Sequence, residues 1–177
     1  ESLLRRKDGF SIAGRLDKYA TGLTVLSQNG RLVNRIISSR QHIEREYLVR
    51  TKKPFSGKER EIFGSGQLVL RSESEPLKPA IFEPIDEANN LARLILFEGR
   101  YHQIRRMLGA IENEALSIKR VRIGPLRLDE EQLPDGKWRA LTRVEEEALW
   151  SYVSPHKLEL LAQRQRKVED MRKVERV

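Results

Sequence analysis

Four short apolar runs between residues 46 and 97, each bounded by turn-forming residues, restrict what this chain can fold into more than any other feature. Glu46-Tyr-Leu-Val-Arg, Gln67-Leu-Val-Leu, Ala80-Ile-Phe-Glu-Pro-Ile and Leu91-Ala-Arg-Leu-Ile-Leu-Phe are rich in strand formers, several alternate apolar with polar side chains, and Gly, Pro or Asn-Asn separates them. Connections this short favour antiparallel neighbours. After Gly99 the period changes: Ile104, Met107, Leu108 and Ile111 recur at helical spacing, with Arg105 and Arg106 on the opposite face. Strand-like Val121-Arg-Ile-Gly-Pro-Leu-Arg-Leu and Trp138-Arg-Ala-Leu follow. A helix over Thr142 to Tyr152 comes next, Thr142 and Glu145 standing at capping-box spacing. Nearer the N-terminus, Gly22-Leu-Thr-Val-Leu-Ser reads as a short buried strand, Asn29-Gly30 as a turn, and Leu32, Val33, Ile36 and Ile37 as one helical stripe. The expected fold class is α+β, a mixed, mainly antiparallel sheet with helices packed on it.

Residues 1–11 are basic and aperiodic and are expected to form a linker or the tail of a preceding module; the domain is expected to run from 12 to 153. Neither a signal peptide nor an initiator methionine opens the sequence, so further chain is expected upstream. From 154 to 177 Lys, Arg, Glu and Gln dominate, with Leu158, Leu161, Val168, Met171 and Val174 as sparse apolar positions, the pattern of a basic, exposed helical extension. The 177 residues hold 34 Lys and Arg against 26 Asp and Glu, a net charge of +8, and the cations cluster at Arg5-Arg6-Lys7, Arg100 to Arg106 and Lys119 to Arg122. Clustered positive charge suits a polyanionic partner such as nucleic acid. The chain has no cysteine, which excludes disulfides and thiolate zinc sites, and its three scattered histidines suggest no metal site. No apolar run approaches the roughly 18 residues of a membrane span, so no membrane partner is expected.

Three segments carry chemistry. In Gly14-Arg-Leu-Asp-Lys-Tyr-Ala-Thr-Gly-Leu one carboxylate, Asp17, sits in a turn between cations just before an apolar run. There it either caps the turn and pairs with Arg15 or Lys18, or serves as an ionised nucleophile or base. Glu98-Gly-Arg-Tyr-His-Gln-Ile-Arg-Arg-Met places a Gly turn at a helix start, where free amides and arginines hold phosphate. In Arg45-Glu-Tyr-Leu-Val, Tyr47 either joins the core or presents a face on which an unpaired base stacks. His102 reads as a structural histidine, and Gly64-Ser-Gly66 as a hairpin turn, because it lacks the lysine and helix of a phosphate-binding loop.

Taken together and in this order, Gly14-Arg-Leu-Asp-Lys-Tyr-Ala-Thr-Gly-Leu-Thr-Val-Leu-Ser-Gln-Asn-Gly, Glu44-Arg-Glu-Tyr-Leu-Val and Glu98-Gly-Arg-Tyr-His-Gln-Ile-Arg-Arg-Met-Leu resemble the motifs of the pseudouridine synthases. Arg120-Val-Arg-Ile-Gly-Pro-Leu-Arg-Leu and Trp138-Arg-Ala-Leu-Thr extend the resemblance over residues 12–153. Pro76-Leu-Lys-Pro-Ala and the Glu-Gly-Arg-Tyr-His-Gln form are most similar to the RsuA-like branch, which acts on small-subunit ribosomal RNA. The resemblance implies the family's fold, an enzyme that isomerises a uridine to pseudouridine, and no cofactor or metal. It implies that Asp17 is the catalytic carboxylate, that Tyr47 stacks on the target base, and that Arg105 pairs with Asp17. Arg15, Lys18, Arg100, Gln103, Arg106 and Arg122 are the expected RNA contacts. The expected partner is ribosomal RNA or a ribosomal precursor particle, with ribosomal-protein contacts through the tail. The expected location is the cytoplasm for a bacterial source, or a mitochondrion or plastid for a eukaryotic one. A catalytically silent RNA-binding assembly factor of the same fold is the alternative. Ala13, Tyr19 and Ala20 depart from the family's pattern.

Overall fold

A computed structural model describes residues 9–174, with side chains as far as Arg166. In chain order the elements are β1 (Ser11–Ile12), β2 (Ala20–Gly22), β3 (Leu26–Ser27), α1 (Gly30–Ile37), β4 (Arg45–Thr51), α2 (Glu59–Gly64) and β5 (Ile81–Asp86). They continue with β6 (Leu91–Leu96), α3 (Gln103–Ala110), β7 (Ala115–Ile123), β8 (Leu126–Arg127), α4 (Arg143–Ser151) and α5 (Pro155–Val174). The alternating runs become β4, β5 and β6, which pair antiparallel as their short connections require. β7 adds to the other side of β4, also antiparallel, and β2 closes that edge in parallel with β7, so the order is β2-β7-β4-β6-β5 with β8 folded back on β7. β1 and β3 form a separate two-stranded ribbon. The α+β reading and the mainly antiparallel sheet hold.

Two apolar cores follow from the strand alternation. Tyr47, Val49, Phe82, Leu94 and Ile118 share the first with Ile104, Met107 and Leu108 of α3 and Phe63 of α2. The second joins Leu32, Val33 and Ile36 of α1 to Ile43, Ile123 and Leu149. Asn29 caps α1 by accepting from the Arg31 and Leu32 amides, and Arg35 donates from Nε to the Leu149 carbonyl (2.9 Å) and from Nη2 to that of Tyr152 (2.8 Å), serving the otherwise open end of α4. α4 begins with the expected Thr142–Glu145 capping box. Arg139 beside Glu145 holds that carboxyl down at about 2. The Tyr152 hydroxyl donates to Glu44 (2.9 Å), and burial, with this bond to a carboxylate, pushes its pKa up to about 12.

Several expectations need correcting. Gln67-Leu-Val-Leu is not a strand: the facing segment carries Pro76 and Pro79, which have no N–H to give, so the Leu77 amide to the Leu68 carbonyl (2.8 Å) is a lone rung. Trp138-Arg-Ala-Leu is an extended connection, with Leu141 packed on the second core and Trp138 exposed. Gly22–Ser27 splits between β2 and β3, which belong to different sheets. The six-residue α2, too short to show a stripe, was not foreseen. Ser11, expected within a linker, already pairs in β1, whereas Arg5-Arg6-Lys7 lie outside the described residues. The first turn of α5 joins the body: the His156 ring stacks on Phe97 at 4.2 Å, and Lys157 Nζ donates to Gln41 Oε1 at 3.0 Å. The side chains of Val168, Met171 and Val174 lie outside the described part of the helix.

Candidate functional site

The three chemistry-bearing segments converge on one cleft of about 640 Å³, formed where the loop before β2, the start of β4 and the turn before α3 meet. Asp17 lies in the first of these, its loop closed by the Ala20 amide on the Asp17 carbonyl (2.9 Å) and by β2 pairing with β7. Tyr47 is 9% exposed and lines the cleft, so it is both a core residue and part of the wall. Arg15, Lys18, Arg45, Arg100 and Arg120 share the lining, and among the described residues Asp17 is its sole carboxylate. A site so charged draws in an anion, with one carboxylate at its centre.

Two of these cations, Arg45 and Arg120, were not foreseen. Arg120 is 1% exposed, and its guanidinium donates to the carbonyls of Leu23 (2.7 Å) and Gly14 (2.9 Å). It thereby binds both ends of the Asp17 loop, with no carboxylate partner among the described residues. Arg45 donates to the Ile36 carbonyl (2.8 Å), and burial lowers its pKa from the usual guanidinium value. The available signal was register, because Tyr47 sits opposite Arg120 across β4 and β7. A register shift between Glu46 and Tyr47 then separates Arg120 from Arg122, which a regular strand would put on one face. Arg122 turns instead to Glu46 (2.7 Å), Glu44 (2.6 Å) and the Gly124 carbonyl (3.0 Å), inside the protein.

The remaining expected contacts divide. Arg15 and Lys18 face the cleft, Lys18 Nζ standing 5.1 Å from the centre of the Tyr19 ring. Arg100 reaches the cleft but its guanidinium holds Glu73, Glu98 and the Glu75 and Pro76 carbonyls, while Arg106 holds Glu73 and the Arg71 carbonyl. The two arginines keep the Glu73 carboxyl below the usual carboxylate range and fasten the 71–76 loop to the start of α3. Gln103 is buried and accepts from the Arg100 amide (2.9 Å), shaping the turn.

The expected Arg105–Asp17 pair is not formed. Arg105 donates from Nη1 to the Ala115 carbonyl (3.2 Å), and the ionisable group near the carboxylate is His102, with Nε2 3.8 Å from Asp17 Oδ1. The cause is the turn before α3, where His102 adopts the left-handed conformation (φ +46°) as N-cap and swings its ring toward Asp17. Three residues on, Arg105 faces β7 instead. A histidine with positive φ is uncommon, and such strain gathers at functional sites.

Fold and cleft together define an α+β protein that gathers cations and an aromatic wall around one carboxylate. A family profile described as RNA pseudouridylate synthase matches residues 2–110. The ribosomal small subunit pseudouridine synthase A of Haemophilus influenzae is 41% identical over 137 residues, covering 77% of this chain and 57% of that protein. The protein of the same name in Escherichia coli (strain K12) is 40% identical over 133 residues, covering 75% and 56%. A crystal structure of a pseudouridylate synthase superposes with a TM-score of 0.74 at 40% identity, covering 80% of this chain and 60% of that one. The chain belongs to the RNA pseudouridylate synthase family, and it spans about half the length of the curated relatives it matches.

Proposed function

We propose that this chain carries the catalytic centre of an enzyme that isomerises a uridine of small-subunit ribosomal RNA to pseudouridine. The observation that carries the reading is the placement of Asp17: a lone carboxylate in a cation-lined cleft, with the Tyr47 ring in the wall. Asp17 either attacks the ribose carbon that bears the base or takes a proton from the sugar to start elimination. Either route frees the uracil to turn and rejoin through C5. Tyr47 stacks on that base, and Arg45 and Arg120 supply the positive potential around the sugar and its phosphates. With RNA bound, Arg105 turns from the Ala115 carbonyl to orient Asp17, exchanging one neutral carbonyl bond for a charged partner. The target nucleotide must leave its stack, at a cost of a few kcal/mol, which favours unpaired or distorted RNA.

The names of the relatives support the small subunit as target, and their bacterial sources support action in the cytoplasm, where ribosomes assemble. Among the described residues no helix is long and apolar enough to cross a membrane. The basic extension after Ser154 is assigned to the ribosomal particle, contacting its RNA or proteins. Carbodiimide mapping of ribosomal RNA from cells with the wild-type protein, Asp17→Asn or no protein tests the reading. One pseudouridine should vanish in both the mutant and the null. If every site persists while ribosome assembly suffers only in the null, the chain is an RNA-binding assembly factor.

A further inference from the structure

Tyr101 and Tyr19 are 77% and 72% exposed, more than any other aromatic side chain among the described residues, and they stand on the two segments that meet at the His102–Asp17 contact. Neither is a lone surface aromatic. The Tyr101 ring is stacked on His102, with centroids 3.9 Å apart and planes within 15°, and the Lys18 ammonium lies 5.1 Å over the Tyr19 ring. Each ring thus has one face backed by a group able to carry positive charge and the other turned to solvent. A backed ring has lost much of its rotational freedom before a ligand arrives, so little entropy remains to be lost when a flat partner settles on the open face. Burial does not account for these residues, and the ring contacts described are the ones that hold them up.

We infer that Tyr19 and Tyr101 are stacking platforms for the unpaired nucleotides on either side of the uridine that enters the cleft. The inference rests on the proposed RNA-modifying role, and it names what that role leaves open: the strand is gripped as single-stranded RNA through its bases, beyond the phosphate contacts of Arg15 and Lys18. Stacking on an aromatic ring tolerates any base and is unavailable to a base inside a duplex. The platforms therefore make the cleft selective for an opened strand and hold the flanking bases apart while the target uridine is out of its stack.

The test measures, at one fixed salt concentration, the affinity of the chain for two short single-stranded oligoribonucleotides, with 2-aminopurine on the 5′ side of a central uridine in one and on the 3′ side in the other, and for their duplexes. Tyr19→Leu and Tyr101→Leu, which keep apolar bulk but lose the ring, should each weaken single-strand binding roughly 5- to 100-fold and abolish 2-aminopurine quenching on one side of the uridine, a different side for each variant, with little change for the duplex. Tyr19→Phe and Tyr101→Phe should bind like wild type. Leu variants that bind the single strand normally would overturn the inference, as would Phe variants that lose as much as Leu, because the hydroxyl and not the ring would then be the contact. Tritium release from 5-tritiated small-subunit ribosomal RNA, run in parallel, separates the two readings. If the wild type releases no tritium yet the Leu variants lose single-strand binding, the enzymatic reading fails and the platforms stand. If the wild type turns over and the Leu variants bind as it does, the platforms alone fail.

Discussion

Replacing Gly22 by alanine should unfold the edge of the sheet on which the Asp17 loop hangs. Gly22 pairs with Arg120 in the parallel β2–β7 ladder and has φ +102°, a region that side chains disfavour. A methyl group built there would lie 2.2 Å from the Arg120 carbonyl oxygen and 2.7 Å from its nitrogen, both backbone atoms that no rotamer change can move. Relief requires β2 to draw back by about an ångström, since real contacts to a Cβ lie beyond 3.0 Å. The adjacent Leu23 amide bond to the Arg120 carbonyl (2.8 Å) would then break. Backbone strain of about 1–3 kcal/mol and a buried group losing its partner at about 1–3 kcal/mol together give about 2–6 kcal/mol. In a domain of this size that lowers the melting temperature by roughly 5–20 °C. Urea denaturation and calorimetry measure the loss, with Gly30→Ala as the control, since nothing lies within 4 Å of a methyl group there and its φ is ordinary. A Gly22→Ala protein within about 0.5 kcal/mol of wild type would refute the reasoning.

Three further perturbations follow from other parts of the molecule. Arg122→Ala leaves the Glu44 and Glu46 carboxylates buried without their cation and should cost about 3–5 kcal/mol in denaturant unfolding, far more than an exposed pair would. Thr142→Ala removes the side-chain acceptor of the Glu145 amide and should cost about 1 kcal/mol, with local loss of amide protection in the first turn of α4. Burial, then Lys78, His156 and Lys157, lower the His42 pKa below its ordinary 6.5, so the unfolded chain takes up the proton first. Stability from this group is therefore full above pH 6.5 and declines as pH falls through that value. His42→Asn, which tolerates the left-handed backbone at φ +53°, should flatten the change in urea midpoint between pH 7.5 and 5.5; an unaltered slope would exclude His42 as its source.

The elements read correctly from sequence were those whose signals are local. β4, β5, β6, α1, α3 and α4 each carry a period or a cap that neighbouring residues enforce, and the capping box of α4 needed only Thr142 and Glu145. Asp17 and Tyr47 were recognisable because their motifs lie along the chain, and the structure brings both into one cleft. What stayed hidden was the fate of the arginines. Arg100, Arg106 and Arg122 look in sequence like free cations for RNA, yet Glu73, Glu44 and Glu46 engage them, while Arg45 and Arg120, not expected at the site, join Arg15 and Lys18 in charging the cleft. Periods, caps and motif order are properties of neighbouring residues and can be read along the chain. Which cations face the cleft emerges only on folding, because it depends on the parallel pairing of β2 with a strand far along the chain and on one register shift between β4 and β7, and neither leaves a trace in the local pattern.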